Sequence, residues 1–579
     1  MQILRGDFIS TDRQFLSGIF RCLAILLLVT SQAQAQFHDP RALEANSLTA
    51  SSQIAPRLTG LGSAGFAVST SNKQSQFFFD QGLRLTYAFN HSEALRSFKE
   101  AARLDPDNAM AWWGQALVLG PNINLPMMPY VAEQTWQAMQ QALALRDGAT
   151  EKERDLIDAL ALRYAAPGVE PDGSALSNAY ARAMQALAKK YPGDPDVATL
   201  TASAIMNLSP WDYWYGDGVP YQRTLVVLEM LERTIEQYPE HTGALHYYIH
   251  ITEAYVPQKG EVAADLLRER APNAGHLTHM PSHIYMRVGR YSDAYTVNVA
   301  ASKADNAYIA ACQAQGLYPI GYYPHNVHFM VWSAQSMGRY ADAMAAARLI
   351  RDKIPEFVGV ADQIPADVQA DAWQLFETFL SQPLYTMVRF GDWDAVLQEP
   401  QPAEQALFMN GVWHYARGLA YVHTGDKKKS VTELDALQAI LADPKLADYP
   451  VSLNGAARLL QIAGALLAGE IAAASEDYDG AIALMELAVR LQDGLLYMEP
   501  PDWFMPGRHY LGAVLLEAGW PAEAETVYWA DLRKNPANGF ALFGLWQAQQ
   551  AQGKSGKAVQ ERFNQAWQGA DHRLSSSRY

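Results

Sequence analysis

The sequence predicts an all-α protein, a right-handed superhelical solenoid of repeated helix pairs, and three observations predict it. At 579 residues the chain exceeds what one hydrophobic core usually holds, so it is either several domains or one elongated repeat array. Apolar residues make up 49% and charged residues 18%, a composition that folds rather than stays disordered. Small and bulky residues then recur at fixed offsets: Phe78, Gly82, Ala94, Phe98, Ala101 and Pro106. Two antiparallel helices approach closely only where small residues face each other. Gly82 and Ala94 therefore make room, Phe98 fills the groove to the next pair, and Pro106, lacking an amide hydrogen, ends the second helix.

The next copy is expected about 34 residues on, where Trp112 follows Phe78. Gly512, Ala524, Tyr528 and Pro536 repeat the first offsets, and Ala343 with Pro355 keeps the gap between Ala94 and Pro106. Turns before second helices recur as Gly289-Arg290-Tyr291, Gly338-Arg339-Tyr340, Gly391-Asp392-Trp393 and Gly425-Asp426. Roughly eight to ten helix pairs fill residues 75–570, in one array or two sub-arrays meeting near 360–400. A partly irregular extension (36–74) precedes them and a tail (571–579) follows. These offsets resemble the tetratricopeptide repeat (TPR) family over most of that span. The strings Tyr87-Ala88-Phe89-Asn90-His91, Gly120-Pro121-Asn122-Ile123-Asn124, His279-Met280-Pro281-Ser282-His283 and Tyr323-Pro324-His325-Asn326 resemble a group of exported bacterial TPR proteins of similar length. The wider family implies a concave groove, lined by the first helix of each pair, that holds a peptide, protein or small-molecule ligand.

The N-terminus indicates a compartment. Arg13 and Arg21 precede an apolar stretch, Cys22 to Val29, and then Ala33-Gln34-Ala35, a small-x-small cleavage pattern. We read residues 1–35 as a signal peptide cut after Ala35, which implies a periplasmic or secreted protein. The stretch is too short to span a membrane, and no comparable uninterrupted run follows. Removing it leaves 42 basic and 59 acidic side chains, a charge near -17. So acidic a chain has no general attraction to phosphate backbones, and nucleic acid is excluded as an expected partner. Cys22 leaves with the signal and Cys312 remains alone, which rules out a disulfide framework and a cysteine-pair zinc motif.

The histidines carry the chemistry. Seven of the 14 fall between positions 246 and 328, where an even spread would put about two. His246, His250 and Glu253 stand at i, i+4 and i+7, within roughly 60° of arc on one helical face. His279 and His283 are four apart with His276 just ahead, although Pro281 favours a helix starting there and leaves His276 and His279 in the preceding loop. His325 and His328 are three apart. All three groups fall on or near first helices of successive units, so they can converge on one pocket. Imidazole and carboxylate without thiolate suit zinc, copper, iron, nickel or manganese. Eight candidate groups exceed the three or four that one ion needs, so either two ions bind or some histidines orient others or move protons. Read singly, each His is equally well a packing residue satisfied by backbone or Tyr hydroxyls.

Other features are weaker. Trp211, Tyr213, Trp214 and Tyr215, with Asp212 and Asp217, form an aromatic loop that seals an insertion or covers a ligand. Tyr318, Tyr322 and Tyr323 precede His325 and can wall the same pocket; Trp211, Trp214, Tyr322 and Tyr323 are the candidate substrate contacts. His91 reads as a turn residue, and His414, His423, His509 and His572 as structural or exposed. No His-Glu-x-x-His, Gly-rich phosphate loop, Gly-x-Ser-x-Gly elbow or cysteine nucleophile is present, so the sequence assigns no catalytic residue. Two readings follow: a TPR solenoid with a His/Glu transition-metal site and metal-dependent chemistry, or a TPR scaffold for a peptide or envelope partner in which the histidines are structural.

Overall fold

The computed structural model describes residues 42–43, 53–169, 173–216, 218–314, 318–358, 374 and 376–579. The signal-peptide reading of residues 1–35, with Cys22, falls outside the described residues, as does Asp217. The fold class is the expected one, all-α helix pairs of tetratricopeptide type, and among the described residues the only β-structure is two isolated bridges. The chain divides into two compact units. Among the described residues the N-terminal unit comprises 42–288 and 296–326, and the C-terminal unit 289–295 and 327–579. The junction anticipated near 360–400 falls inside the second of these, with 359–373 outside the described residues.

In the N-terminal unit the helices run α1 (Lys73–Tyr87), α2 (His91–Leu104), α3 (Ala109–Leu119), α4 (Ala132–Leu145), α5 (Glu151–Ala161), α6 (Gly173–Lys190), α7 (Pro195–Met206), α8 (Gln222–Gln237), α9 (Thr242–Thr252), α10 (Pro257–Leu267), α11 (Gly275–His279) and α12 (Pro281–Val288). Asparagines start the first three: Asn72, Asn90 and Asn108 each accept hydrogen bonds from the first amides of the helix that follows. The turn 88–90 between α1 and α2 is too short for anything but an antiparallel pair. Residues 53–72 are non-helical and bound along this pair, with Ile54 N–H donating to Glu100 and Leu58 N–H to Gln81.

The repeat is built on one ring between two glycines. A Cβ on Gly82 would lie 2.7 Å from the Phe98 ring, and one on Gly114, 32 positions later, would strike the same ring from the other side. Phe98 is wholly buried there. The period thus closes at 32 rather than 34, and it is Met110, buried four residues before Gly114, that matches Phe78. Trp112 instead lies half-buried with its indole N–H on the Pro106 carbonyl.

The unit also departs from a simple stack, in which each pair meets only its neighbours. Helix α9 packs against α1. The Tyr87 ring occupies the space that a side chain on Gly243 would need, and its hydroxyl donates to Asp196 at 2.7 Å. The array therefore closes back on its first helix, bringing the α1–α2 turn to the middle of α9.

Helices α13 (Tyr291–Cys312) and α14 (Tyr323–Ser336) contribute residues to both units. The C-terminal unit continues with α15 (Tyr340–Val358), α16 (Glu377–Leu380), α17 (Gln382–Phe390), α18 (Trp393–Gln398), α19 (Leu407–His423), α20 (Lys427–Leu441), α21 (Ala456–Ala473), α22 (Tyr478–Asp493), α23 (Gly507–Glu517), α24 (Pro521–Lys534), α25 (Gly539–Ala551) and α26 (Lys557–Ala566). The same packing rule holds: the Tyr528 ring sits between Gly512 and Gly544, again 32 positions apart. The anticipated glycine turns adopt positive φ, for example 73° at Gly338 and 67° at Gly391, which side chains with a Cβ disfavour. Helix α15 runs through Pro355 to Val358, so that proline does not stop it as Pro106 was expected to stop α2. Helix α21 is long and apolar enough to cross a membrane, a run that the sequence reading did not anticipate; two thirds of it is buried, as suits a core helix of its unit. Residues read as a tail are partly built in, with Arg578 against Glu470 and Glu517, and Ser577 donating to the His509 carbonyl.

Replacing Gly82 by Leu is expected to cost about 1–3 kcal/mol, the usual range for overpacking. The check is urea unfolding, with a lowered midpoint and unchanged slope, and the histidine cluster described next should keep its properties.

Candidate metal centre

Seven of the eight predicted ligands belong to the N-terminal unit and are brought together. Helix α9 presents His246 and His250 one turn apart, and Glu253 caps its C-terminal end, where Arg287 donates to the carbonyls of Glu253 and Ala254. His276 and His279 lie on α11 and His283 on α12. The break between these helices is only Met280, whose amide still donates to the His276 carbonyl. His276 and His279 are therefore helical and not in a loop, because Pro281 sits at the first position of α12, where a missing amide costs nothing. His325 comes from the first turn of α14.

The imidazoles form two triads, His246/His250/His276 and His279/His283/His325, each with its ligand atoms within 4.8 Å of one another. In both triads it is the Nε2 atoms that meet. His246 Nε2 lies 2.9 Å from His250 Nε2 and 3.1 Å from His276 Nε2; His283 Nε2 lies 2.9 Å from His279 Nε2 and 3.4 Å from His325 Nε2. An ion with nitrogen ligands at 2.1 Å holds them roughly 3.0–3.4 Å apart at octahedral to tetrahedral angles. The observed separations fall close to that range.

The opposite nitrogens of four rings face acceptors. His246 Nδ1 is 2.6 Å from the Tyr87 carbonyl, which only accepts, so this nitrogen carries the hydrogen. His279 Nδ1 donates to Asn298 Oδ1 at 2.6 Å. His250 and His283 turn their Nδ1 atoms to the two oxygens of one carboxylate, Glu253 Oε1 at 3.4 Å and Oε2 at 2.6 Å. In the neutral rings Nε2 is then a bare lone pair, and in each triad two such lone pairs face each other at 2.9 Å. A proton or a metal ion between them relieves that arrangement. Burial lowers the proton affinity of His246, His250, His276 and His279, with the neighbouring imidazoles adding to it for His246, His276 and His279. Protons are thus the costlier solution. Orientation of metal-binding imidazoles by backbone carbonyl, amide and carboxylate through the far nitrogen is the common arrangement around such ions.

Glu253 consequently stands outside the two imidazole triads, although with His283 it belongs to a further grouping of potential ligand atoms. Burial alone would raise its pKa, but the His283 and His250 imidazoles facing it outweigh burial and hold it ionised. It joins one histidine of each triad. A second carboxyl, Asp305, holds the flanks: it accepts from Tyr318 Oη at 2.8 Å and Asn326 Nδ2 at 2.6 Å, and the Tyr318 hydroxyl in turn accepts from the His276 amide at 3.3 Å. A Cβ on Gly275 would collide with this carboxylate, which is why α11 begins with glycine.

Phe89, at the tip of the α1–α2 turn with a φ of 54°, stacks on His250 and His276 and lies 4.5 Å from the His246 ring. Trp211 meets His250 edge-on at 5.1 Å and Tyr322 covers His276 at 4.7 Å, so these two predicted contacts do line the site. Trp214 and Tyr323 do not: the Trp214 indole is buried on the Ile251 carbonyl, and the Tyr323 hydroxyl accepts from Asn306. His328 does not join the triads. It lies in the C-terminal unit, 5.5 Å from the Phe379 ring. His91 takes part in the turn contacts expected of it, with Nδ1 on the Val118 carbonyl. His414, His423 and His509 face Glu433, Glu470 and Asp531, as structural residues do. Asn298, Asp305 and the Tyr87 carbonyl were not singled out as site groups. An asparagine 19 positions from its histidine, or a carbonyl 159 away, leaves no periodic trace.

No protein-family model matches the sequence. No curated protein matches it either. Solved structures align along most of the chain at low similarity. The human IFIT1 dimer with m7Gppp-AAAA is 12% identical with a TM-score of 0.29, covering 87% of this chain and 91% of that one. Yeast Tom70 is 11% identical with a TM-score of 0.27, covering 85% and 91%, and the P58(IPK) TPR domain is 13% identical with a TM-score of 0.20, covering 83% and 98%.

The buried imidazoles set a pH dependence for the metal-free protein. Their folded-state pKa values lie below the ordinary 6.5, so below that pH the unfolded chain takes up protons that the folded unit refuses. Their contribution is full above pH 6.5 and is lost as pH falls beneath it. Asp305, raised by burial to about 7, acts in the opposite sense, so the histidine part is read by difference. Denaturant unfolding between pH 5 and 7 should show a shallower acid loss in His246→Asn, whose amide can keep the bond to Tyr87, than in the unaltered chain.

Proposed function

We propose that this TPR-type protein binds two transition-metal ions, one in each histidine triad of the N-terminal unit. The observation that carries the reading is the pair of Nε2–Nε2 contacts at 2.9 Å between rings whose Nδ1 atoms face the Tyr87 carbonyl, Glu253 and Asn298. Among the described residues each triad offers three nitrogens, the number that protein side chains supply to an ion in catalytic rather than closed structural sites. His325 is the one triad member that is only partly buried, and Tyr322 stands beside the other triad. Such an ion polarises a bound ligand or lowers the pKa of a bound water, and Glu253 is the ionised group nearest to both halves. We further propose an exported protein, supported by Arg13, Arg21, the apolar run and Ala33-Gln34-Ala35, which would load its metal outside the cytoplasm.

Plasma mass spectrometry of residues 36–579, purified without a histidine tag, tests the reading. Two ions per chain are expected. His246→Ala and His279→Ala should each lower the count to one, whereas Glu253→Ala should weaken both sites about 10–100-fold, the usual effect of removing an orienting carboxylate. Circular dichroism should stay helical in all three, since stability is spread over many neighbouring pairs. A metal-free chain that also stays empty on reconstitution would sink the proposal and leave the groove-binding scaffold.

A further inference from the structure

We infer that the two triads hold copper and act as one two-electron unit toward dioxygen, an inference that rests on the two-ion reading above. Three observations lead there. The first is the ligand set. Six imidazole nitrogens converge in the two triads, and among the described residues of the N-terminal unit the carboxylate beside them, Glu253, turns its oxygens to Nδ1 atoms. Iron and manganese pairs in helical proteins draw on carboxylates that reach the ions, and calcium and magnesium need oxygen, so an all-nitrogen set leaves copper, zinc and nickel. Copper binds such sites most tightly of the divalent series.

The second observation is charge. His246, His250, Glu253, His276, His279 and His283 are all at least nine-tenths buried, with Phe89 laid across three of the rings. Two divalent ions would place four positive charges beside Glu253, the carboxylate that faces the triad imidazoles among the described residues of this unit. Two cuprous ions halve the excess, and three neutral imidazoles are a sufficient coordination sphere for each. Oxidation then has an obvious partner. Two Cu(I) give one electron each to O2, which becomes peroxide; the metals gain two positive charges and the ligand two negative ones. The net charge of the buried site does not change, so no counter-ion has to enter. Dioxygen itself is neutral and apolar and crosses the Phe89 and Trp211 side of the cluster without a solvation cost of the kind an ion incurs.

The third is the coupling between halves. Glu253 ties His250 to His283, and the ring centroids of His250 and His283, and of His276 and His279, stand 5.9 Å apart. The triads are neighbours within one rigid set of helices, so that both electrons can reach a single oxygen molecule. Two protons from solvent release the product as hydrogen peroxide and leave two Cu(II). Return to the cuprous state takes two electrons from an added reductant, ascorbate in the assay below.

The test loads the metal-free full chain with cuprous ions under argon, measures bound copper, and then admits a known amount of dioxygen in an oxygen-electrode cell. The expected result is one O2 consumed per two coppers bound, with an equal yield of hydrogen peroxide on acid quenching. A zinc-loaded sample should consume none, and His276→Ala, holding one copper, should lose the stoichiometric uptake. The electron paramagnetic resonance of the oxidised protein should be weak, because adjacent cupric spins couple. Two coppers bound without uptake above a buffer control, or with the full signal of two isolated cupric ions, overturns the dioxygen inference and leaves the two-ion reading intact. Fewer than two coppers bound, with zinc also below two, overturns both.

Discussion

The site depends on a single carboxylate placed between two helices. Glu253 leaves α9 at its last turn, is stripped of water, and turns one oxygen to His250 and the other to His283. That contact decides which nitrogen of each ring bears the hydrogen, and so which nitrogen is left to meet its neighbours. Without it neither ring has a preferred tautomer, and the two triads are merely six buried bases. An anion of this kind survives burial because two N–H donors face it; the imidazoles in turn stay oriented because it is charged. The polar interior is thus a closed set of mutual obligations rather than a collection of tolerated histidines.

The helix pairs supply the rigidity this requires. Phe98 and Tyr528 each fill the gap between two glycines, so helices in both units stand close enough to fix side chains that would otherwise sweep through several rotamers. Close approach of backbones leaves little freedom for the residues between them, and the dense packing converts an aromatic ring and two absent side chains into a positional constraint. In the N-terminal unit the same economy appears at Gly243 under Tyr87 and at Gly275 under Asp305, both next to site residues.

Much of this was legible in the sequence. The Gly-x11-Ala-x3-Phe spacing gives helix pairs directly, and the i, i+4, i+7 run of His246, His250 and Glu253 gives one face of α9. The grouping of His276, His279, His283 and His325 with them follows from the period alone. What the spacing did not disclose is division of labour. Glu253 reads as a ligand because carboxylates often are, and in the structure its two oxygens also face two Nδ1 atoms. His328 sits only three positions from His325 and still belongs to the other unit, since a helix that serves both units carries its two histidines into different surroundings. The Tyr87 carbonyl, Asn298 and the Asp305–Tyr318–Asn326 bridge are set by tertiary closure, which has no signature in local periodicity.

That closure has a temporal meaning. The Tyr87 carbonyl and the His246 ring meet across 159 positions, and Phe89 covers the rings only when α9 has returned to α1. Contacts of such long range are made late in folding, after the chain has met the entropic cost of closing a large loop. A growing or refolding chain therefore exposes single histidines and short pairs but no assembled triad. On the proposed reading the ions do not template this domain as zinc templates a finger. They arrive at a finished chamber, and the protein's order of events is structure first, cargo second.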